Sequence, residues 1–316
     1  MRNELRARSN DERWPTGVQP PELRRRHLMF SILFLGSLVA FWMPLNRLIT
    51  FSLSHDYASH ILLVVPASAY LIRRKRSEIL AAVQTGPSVG SVLLLGSASF
   101  LWLAQCYFPV SGDQDQLSLS IFSIVVIWIA AFVFCYGTQA FALARFPLLF
   151  LILLVPIPVA VIEKLTFILQ DGSANVAYWL LRLLGVPVFK QDFVLLLPTL
   201  AIQVAKECSG IRSSMALLIT TLLMGELVLR SGWRKTLLVL STVPMLIFKN
   251  GVRIVAVSLL SVYVNPGFLH GWLHTSGGIV FYLLGLALLM PILKALRKSE
   301  DANRATFHFQ PSEVRA

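Results

Sequence analysis

Eight long apolar runs divide the chain, and short clusters of arginine or lysine lie beside several of them. Crossing the hydrocarbon core of a bilayer takes about 20 mostly apolar residues. On that rule the spacing predicts helices near 28–48, 57–72, 88–108, 117–136, 144–162, 211–229, 236–262 and 274–293, the second short and the seventh long. Hydrophobic residues make up 56% of the 316 and charged residues only 14%. Soluble domains carry roughly 25% charged residues. No soluble core could hide this much apolar surface, so the expected fold is an all-α polytopic membrane protein of about eight transmembrane helices, with the lipid bilayer as its solvent.

The net charge of +12 is distributed as such a protein requires. Arg24, Arg25 and Arg26 precede the first run, and Arg73, Arg74, Lys75 and Arg76 follow the second. Arg145 lies between the fourth and fifth, Arg230, Arg234 and Lys235 follow the sixth, and Lys294, Arg297 and Lys298 follow the eighth. With eight crossings, all of these fall on one face, whereas loop 109–116 on the other face holds Asp113 and Asp115 and no base. Positive residues mark the cytoplasmic side, so both termini are expected there. The charge is thus explained without nucleic acid. Residues 1–27 read as a disordered cytosolic tail, 28–296 as the transmembrane domain and 297–316 as a second cytosolic tail. The first apolar run is long enough to span, which argues against a cleaved signal peptide.

The longest stretch between spans, 163–210, lies on the outer side. Its first part, 163–184, mixes apolar and polar positions at helical spacing, as an interfacial or re-entrant helix would. Gly185 and Pro187 are its stop signals. The next stretch, VFKQDFVLLLPTLAIQVAKE, is β-branched, partly alternating and broken by Pro198, and predicts a short hairpin-like element leading to Glu207, Cys208, Ser209 and Gly210.

Ionisable groups in or beside a spanning helix are costly and mark function. Three stand out at one depth of the outer face: Cys208 before the sixth helix, Arg253 in the outer half of the seventh and His274 at the start of the eighth. A cysteine at a helix start feels positive potential that favours the nucleophilic thiolate. An imidazole can take its proton and later protonate a leaving amine. A guanidinium can bind a developing oxyanion. Together they are equipped for acyl transfer from a peptide bond to a thiol. Cys106 and Cys135 lie inside apolar runs and read as small hydrophobes. The polar, tight flank of Cys208 (Glu207, Ser209, Gly210, Arg212, Ser213, Ser214) sets it apart and makes Glu207, Ser209 and Gly210 its supporting residues.

Asn250 and Arg253, three apart, share a helix face, and Asn250 is a further supporting candidate; Lys249 points elsewhere and snorkels. A bland role for Arg253 is as partner to Glu226 or as a snorkelling residue, and for His274 as an interfacial histidine. His270 and His274 are four apart, yet Gly271 lies between them and no HExxH is present, so no metal site is expected. Neither a GxSxG motif nor an acidic pair suggests another hydrolase, and no cofactor is implied.

The run Cys208-Ser209-Gly210-Ile211-Arg212-Ser213-Ser214, then Asn250-Gly251-Val252-Arg253, then His274 followed by Gly277, Gly278 and Phe281, resembles the exosortase/archaeosortase family. The block HDYASHILLVVPASAYLIRRKR at 55–76 is also similar to it, and the resemblance runs from about 28 to 296. It implies a membrane-embedded cysteine transpeptidase with Cys208 as nucleophile, Arg253 as electrostatic stabiliser and His274 as acid/base; archaeal relatives have arginine at the last position. The implied partners are secreted proteins ending in a sorting signal: a short motif such as Pro-Glu-Pro, a transmembrane helix and a basic cluster. The implied location is the bacterial inner membrane, with the site on the periplasmic side. The rivals are a transporter or flippase, which would want ionisable groups along a path through the midplane, and a membrane acyltransferase using His274.

Overall fold

Prolines set where the expected spans are cut. The computed structural model describes residues 20–83, 89–94, 96–97, 112–198, 200–204, 211–265 and 278–308. Helix α1 (Pro20–Ala40) begins inside the expected tail, on a Pro20-Pro21 pair suited to a first helical turn. The run expected as one helix over 28–48 is broken at Phe41, and α2 (Trp42–Ser54) leaves at 73°. Pro44 is the reason: its ring would collide with the carbonyl of Ala40, and it has no N–H to give. Similarly, the expected helix over 144–162 is cut by Pro156 and Pro158. Helix α6 (Thr138–Phe150) and a 3₁₀ turn (Leu151–Leu154) precede the cut, and α7 (Val159–Leu183) follows it.

The chain divides into two compact units, 1–159 and 160–316. In the first, α1 packs on α5 (Asp113–Tyr136), and α3 (Ile61–Arg74) with the short α4 (Arg76–Ala81) packs on α6. An aromatic cluster joins α1 to α5, with Phe34 against Trp128 and Phe30 against Phe132 and Tyr136. At one end Arg26 Nη1 donates to the Cys135 carbonyl at 3.1 Å and His27 meets the Tyr136 hydroxyl at 2.8 Å. At the other, the Tyr57 hydroxyl reaches Gln114, Gln114 Nε2 donates to the Ile157 carbonyl, and the Val159 N–H donates to Asp115. Loops that the charge pattern assigns to one face thus meet at one end of the unit.

Among the described residues four helices are long and apolar enough to cross a bilayer: α5, α8 (Ile211–Val228), α9 (Gly232–Tyr263) and the 278–303 part of α10 (Gly278–His308). The number rises to six if each bent pair, α1 with α2 and α6 through the 3₁₀ turn with α7, is one span. The eight expected spans are therefore not reached among the described residues. Helix α3 has 14 residues and extends about 21 Å, short of a 30 Å hydrocarbon core. Most of the expected span 88–108 lies outside the described residues.

In the second unit α8, α9 and α10 pack against one another. Helix α10 was expected to end near 293 and continues to His308. The buried Glu300 explains the extension, since its carboxylate accepts from the Arg230 N–H (3.0 Å) and the Ser231 N–H (2.6 Å) and so caps the start of α9. The expected interfacial segment 163–184 is the 25-residue helix α7. It ends as anticipated at Gly185 (φ 74°): the Gly185 N–H bonds the Arg182 carbonyl and the Val186 N–H the Leu181 carbonyl, a left-handed termination.

The expected hairpin is there with one more strand. Strands β1 (Phe189–Gln191), β2 (Val194–Leu196) and β3 (Ala201–Gln203) form an antiparallel sheet in that order, with Lys190 opposite Leu195 and Leu195 opposite Ile202. Asp192, at φ 52°, makes the first turn. The second contains Pro198 and is closed by the Leu197 N–H on the Leu200 carbonyl at 2.8 Å.

Candidate functional site

One buried face of α7 (Gln170, Ser173, Ala174, Ala177, Leu181) organises the site region. Its apolar members pack with Leu195, Leu197, Ile202 and Val204 of the sheet and with Ile254 and Val255 of α9 in a single core cluster. The sheet is therefore seated on the turn of α9 that carries Arg253. The strand leading toward Cys208 is held at its end: the Gln170 side-chain amide donates to the Val204 carbonyl, and the Val204 N–H donates to the Phe193 carbonyl at 2.8 Å. Val204 itself is fully buried.

Helix α7 lies very close to α9. A Cβ at Gly251 would stand 2.4 Å from Val176 Cγ1, so only glycine fits there. One residue earlier, Asn250 is 2% exposed and its Nδ2 donates to Ser173 Oγ at 3.0 Å. This assigns to Asn250 the clamping of α9 onto α7. Lys190 Nζ reaches Asp171 at 3.1 Å and Asn175 at 2.6 Å, which ties β1 to the same helix. Beside it Phe167, Asp171, Lys190, Asp192 and Phe193 line a cavity of about 420 Å³.

Helices α8 and α9 run antiparallel with a constant register: Glu226 pairs with Lys235 at 2.5 Å, Gly225 faces Leu238, and Ser213 meets Lys249. Two sequence readings change here. Lys249 does not snorkel. It is 1% exposed, and its ammonium donates to Ser213 Oγ in the first turn of α8. The face a long side chain takes is set by its neighbours, which the sequence does not display; the apolar run 244–248 just before Lys249 is the available signal. The pairing of Arg253 with Glu226 also falls: Glu226 bonds Lys235, 18 residues and about 27 Å along α9 from Arg253.

Arg253 is half-buried one turn beyond Lys249, past the level of Ser213, on the side where α8 begins. Ser214 Oγ is buried next to this junction and has no hydrogen-bond partner among the described residues. Cys208, its flank Glu207, Ser209 and Gly210, and both His270 and His274 lie outside the described residues. The described part of the site is thus an arginine, a clamping asparagine and a buried lysine, around the point where α8 begins. Among the described residues no group of three or more His, Cys, Asp or Glu gathers as metal ligands would.

Comparison with known proteins gives one match. The family model for transmembrane exosortases fits residues 52–291, about three quarters of the chain. No curated protein and no solved structure matches it.

Proposed function

Because the chain belongs to the transmembrane exosortase family, we propose that it is a cysteine transpeptidase that cleaves C-terminal sorting signals from secreted proteins at the outer face of a bacterial inner membrane. The observation that carries this reading is the helix register. Ser213 opposite Lys249 sets α8 against α9, and one further turn along α9, about 6 Å, carries Arg253 past the start of α8 toward the approach of segment 205–210. That segment has six residues and is bounded by the buried Val204 and by Ile211. Three residues of chain reach at most about 11 Å, so a Cys208 nucleophile within that distance of Ile211 is compatible with an Arg253 guanidinium one turn past Lys249.

In the proposed course the substrate's own helix docks beside the bundle and leaves its extended segment just outside the bilayer. The Cys208 thiolate attacks the scissile carbonyl carbon, and Arg253 compensates the charge that develops on the oxygen. The carbon–nitrogen bond breaks as His274 gives its proton to the departing amine, releasing the membrane anchor. Water or an acceptor amine then attacks the thioester, and the thiol is restored. Glu207, Ser209 and Gly210 shape the nucleophile's turn, and Asn250 holds the helix of Arg253 against α7. Both termini are cytoplasmic in this arrangement. The grouping of loops fits: 228–234 meets 299–300 at one end of the second unit, as two cytoplasmic loops would.

The test uses a tagged reporter ending in Pro-Glu-Pro, an apolar helix and a basic tail, co-expressed with the full chain. Cys208→Ala is expected to abolish removal of the tail, a fall of about a thousandfold or more. Processing at the native rate in that variant would exclude a cysteine mechanism.

A further inference from the structure

An ammonium inside an apolar bundle is hard to explain as packing. Removing such an ion from water costs several kcal/mol, and leucine or methionine would fill the same volume without that cost. Two other cations of the same helix have carboxylates: the buried Arg234 lies 3.7 Å from Glu300, and the half-buried Lys235 lies 2.5 Å from Glu226. Lys249 has none among the described residues, and its hydrogen-bond partner is the neutral hydroxyl of Ser213. Room is made for it. Gly285 of α10 faces Leu217 and the Lys249 stem, and a Cβ there would stand 2.8 Å from Leu217 Cδ2 and 3.3 Å from Lys249 Cδ. Three helices thus converge on this one side chain.

Resting on the cysteine reading above, we propose that Lys249 is a positioning residue for the reaction: its bond to Ser213 locks α9 in register with α8, so that Arg253 is held against the thiolate of Cys208. The lysine acts through the arginine and touches no substrate. It joins two helices that bear on this distance: α9 carries Arg253, and α8 starts three residues after Cys208. Losing the bond lets α9 slide or rotate against α8, and a shift of about 1 Å at the guanidinium is enough to weaken its hold on an anion.

The experiment reads the thiolate directly and needs no substrate. In the full chain carrying Cys106→Ala and Cys135→Ala, in detergent micelles at neutral pH, the rate at which iodoacetamide alkylates Cys208 is followed by mass spectrometry. Arg253→Met is expected to slow alkylation about tenfold, because a thiolate loses its neighbouring cation. Lys249→Met and the milder Ser213→Ala are each expected to slow it several-fold. Lys249→Met combined with Arg253→Met is expected to be no slower than Arg253→Met alone.

Mere loosening of the bundle would expose the thiol and speed the reaction, so a native or faster rate in both Lys249→Met and Ser213→Ala overturns the proposal. If Lys249→Met does not fold, Ser213→Ala alone decides. If Arg253→Met reacts at the native rate, the placement of arginine beside thiolate fails, and the inference with it. If only Arg253→Met is slow, the reading survives and the inference does not.

Discussion

At its first turns α9 meets its neighbours through carboxylates: Lys235 with Glu226, and Arg234, Arg230 and Ser231 around Glu300. About four turns later the same helix offers Lys249 to a hydroxyl, Asn250 to another hydroxyl, and Arg253 beyond them. The first end neutralises its cations permanently and behaves as a fastening. At the second end the Lys249 bond to a serine hydroxyl leaves the positive charge in place, and the Asn250 bond to Ser173 is between neutral groups. Where the partner oxygen belongs to a hydroxyl the positive charge is kept; where it belongs to a carboxylate it is neutralised.

Four substitutions would break or sharpen that contrast. Arg253→Met is expected to lower processing of the reporter by about a hundredfold or more, with the melting temperature in detergent close to native. Glu300→Ala is expected to do the reverse. It leaves Arg234 buried without its carboxylate and α9 uncapped, which costs about 3 kcal/mol in thermal unfolding, while the folded protein keeps its turnover. Equal losses of turnover in both variants would erase the distinction between the two ends.

Gly251→Ala tests the close approach that holds the reactive end. The added methyl meets Val176, and overpacking of this kind costs about 1–3 kcal/mol. Turnover should fall with it, since α7 and the sheet sit on the turn of Arg253.

The smallest effect belongs to the first unit. His60 lies ahead of α3, and burial holds its imidazole below the usual histidine range, against the opposing influence of the Tyr57 and Leu153 carbonyls. The folded state therefore binds this proton less readily than the unfolded chain. Stability is unaffected above the ordinary histidine pKa and declines as the pH falls below it toward the folded value. His60→Gln should flatten the melting temperature between pH 7 and 5; an unchanged slope would remove His60 as its source.

Much of the second unit was legible because backbone chemistry declares itself locally. Gly185 and Pro187 stop α7, and Pro198 sits in the turn between β2 and β3. Long-range geometry was less legible. Pro44 carried the signal for the bend at Phe41, but its position in an apolar run masked it. The shared face of Asn250 and Arg253 follows from a spacing of three. That Asn250 binds Ser173 while Lys249 turns inward to Ser213 depends on which helices arrive as neighbours, and no spacing within α9 encodes that. The 1% exposure of a lysine is a property of Gly285, Leu217 and Ser213 as much as of the lysine.

The anchoring of Val204 by Gln170 has a consequence for how cleavage would be measured out. The chain on either side of Cys208 is fixed, at the buried Val204 and at Ile211 where α8 begins. In the proposed reaction the position of the cut is then dictated by the visitor: the count of residues between its hydrophobic anchor and the susceptible bond works as a ruler. Lengthening that spacer should displace or silence the cut, while changes further out along the secreted protein should pass unnoticed.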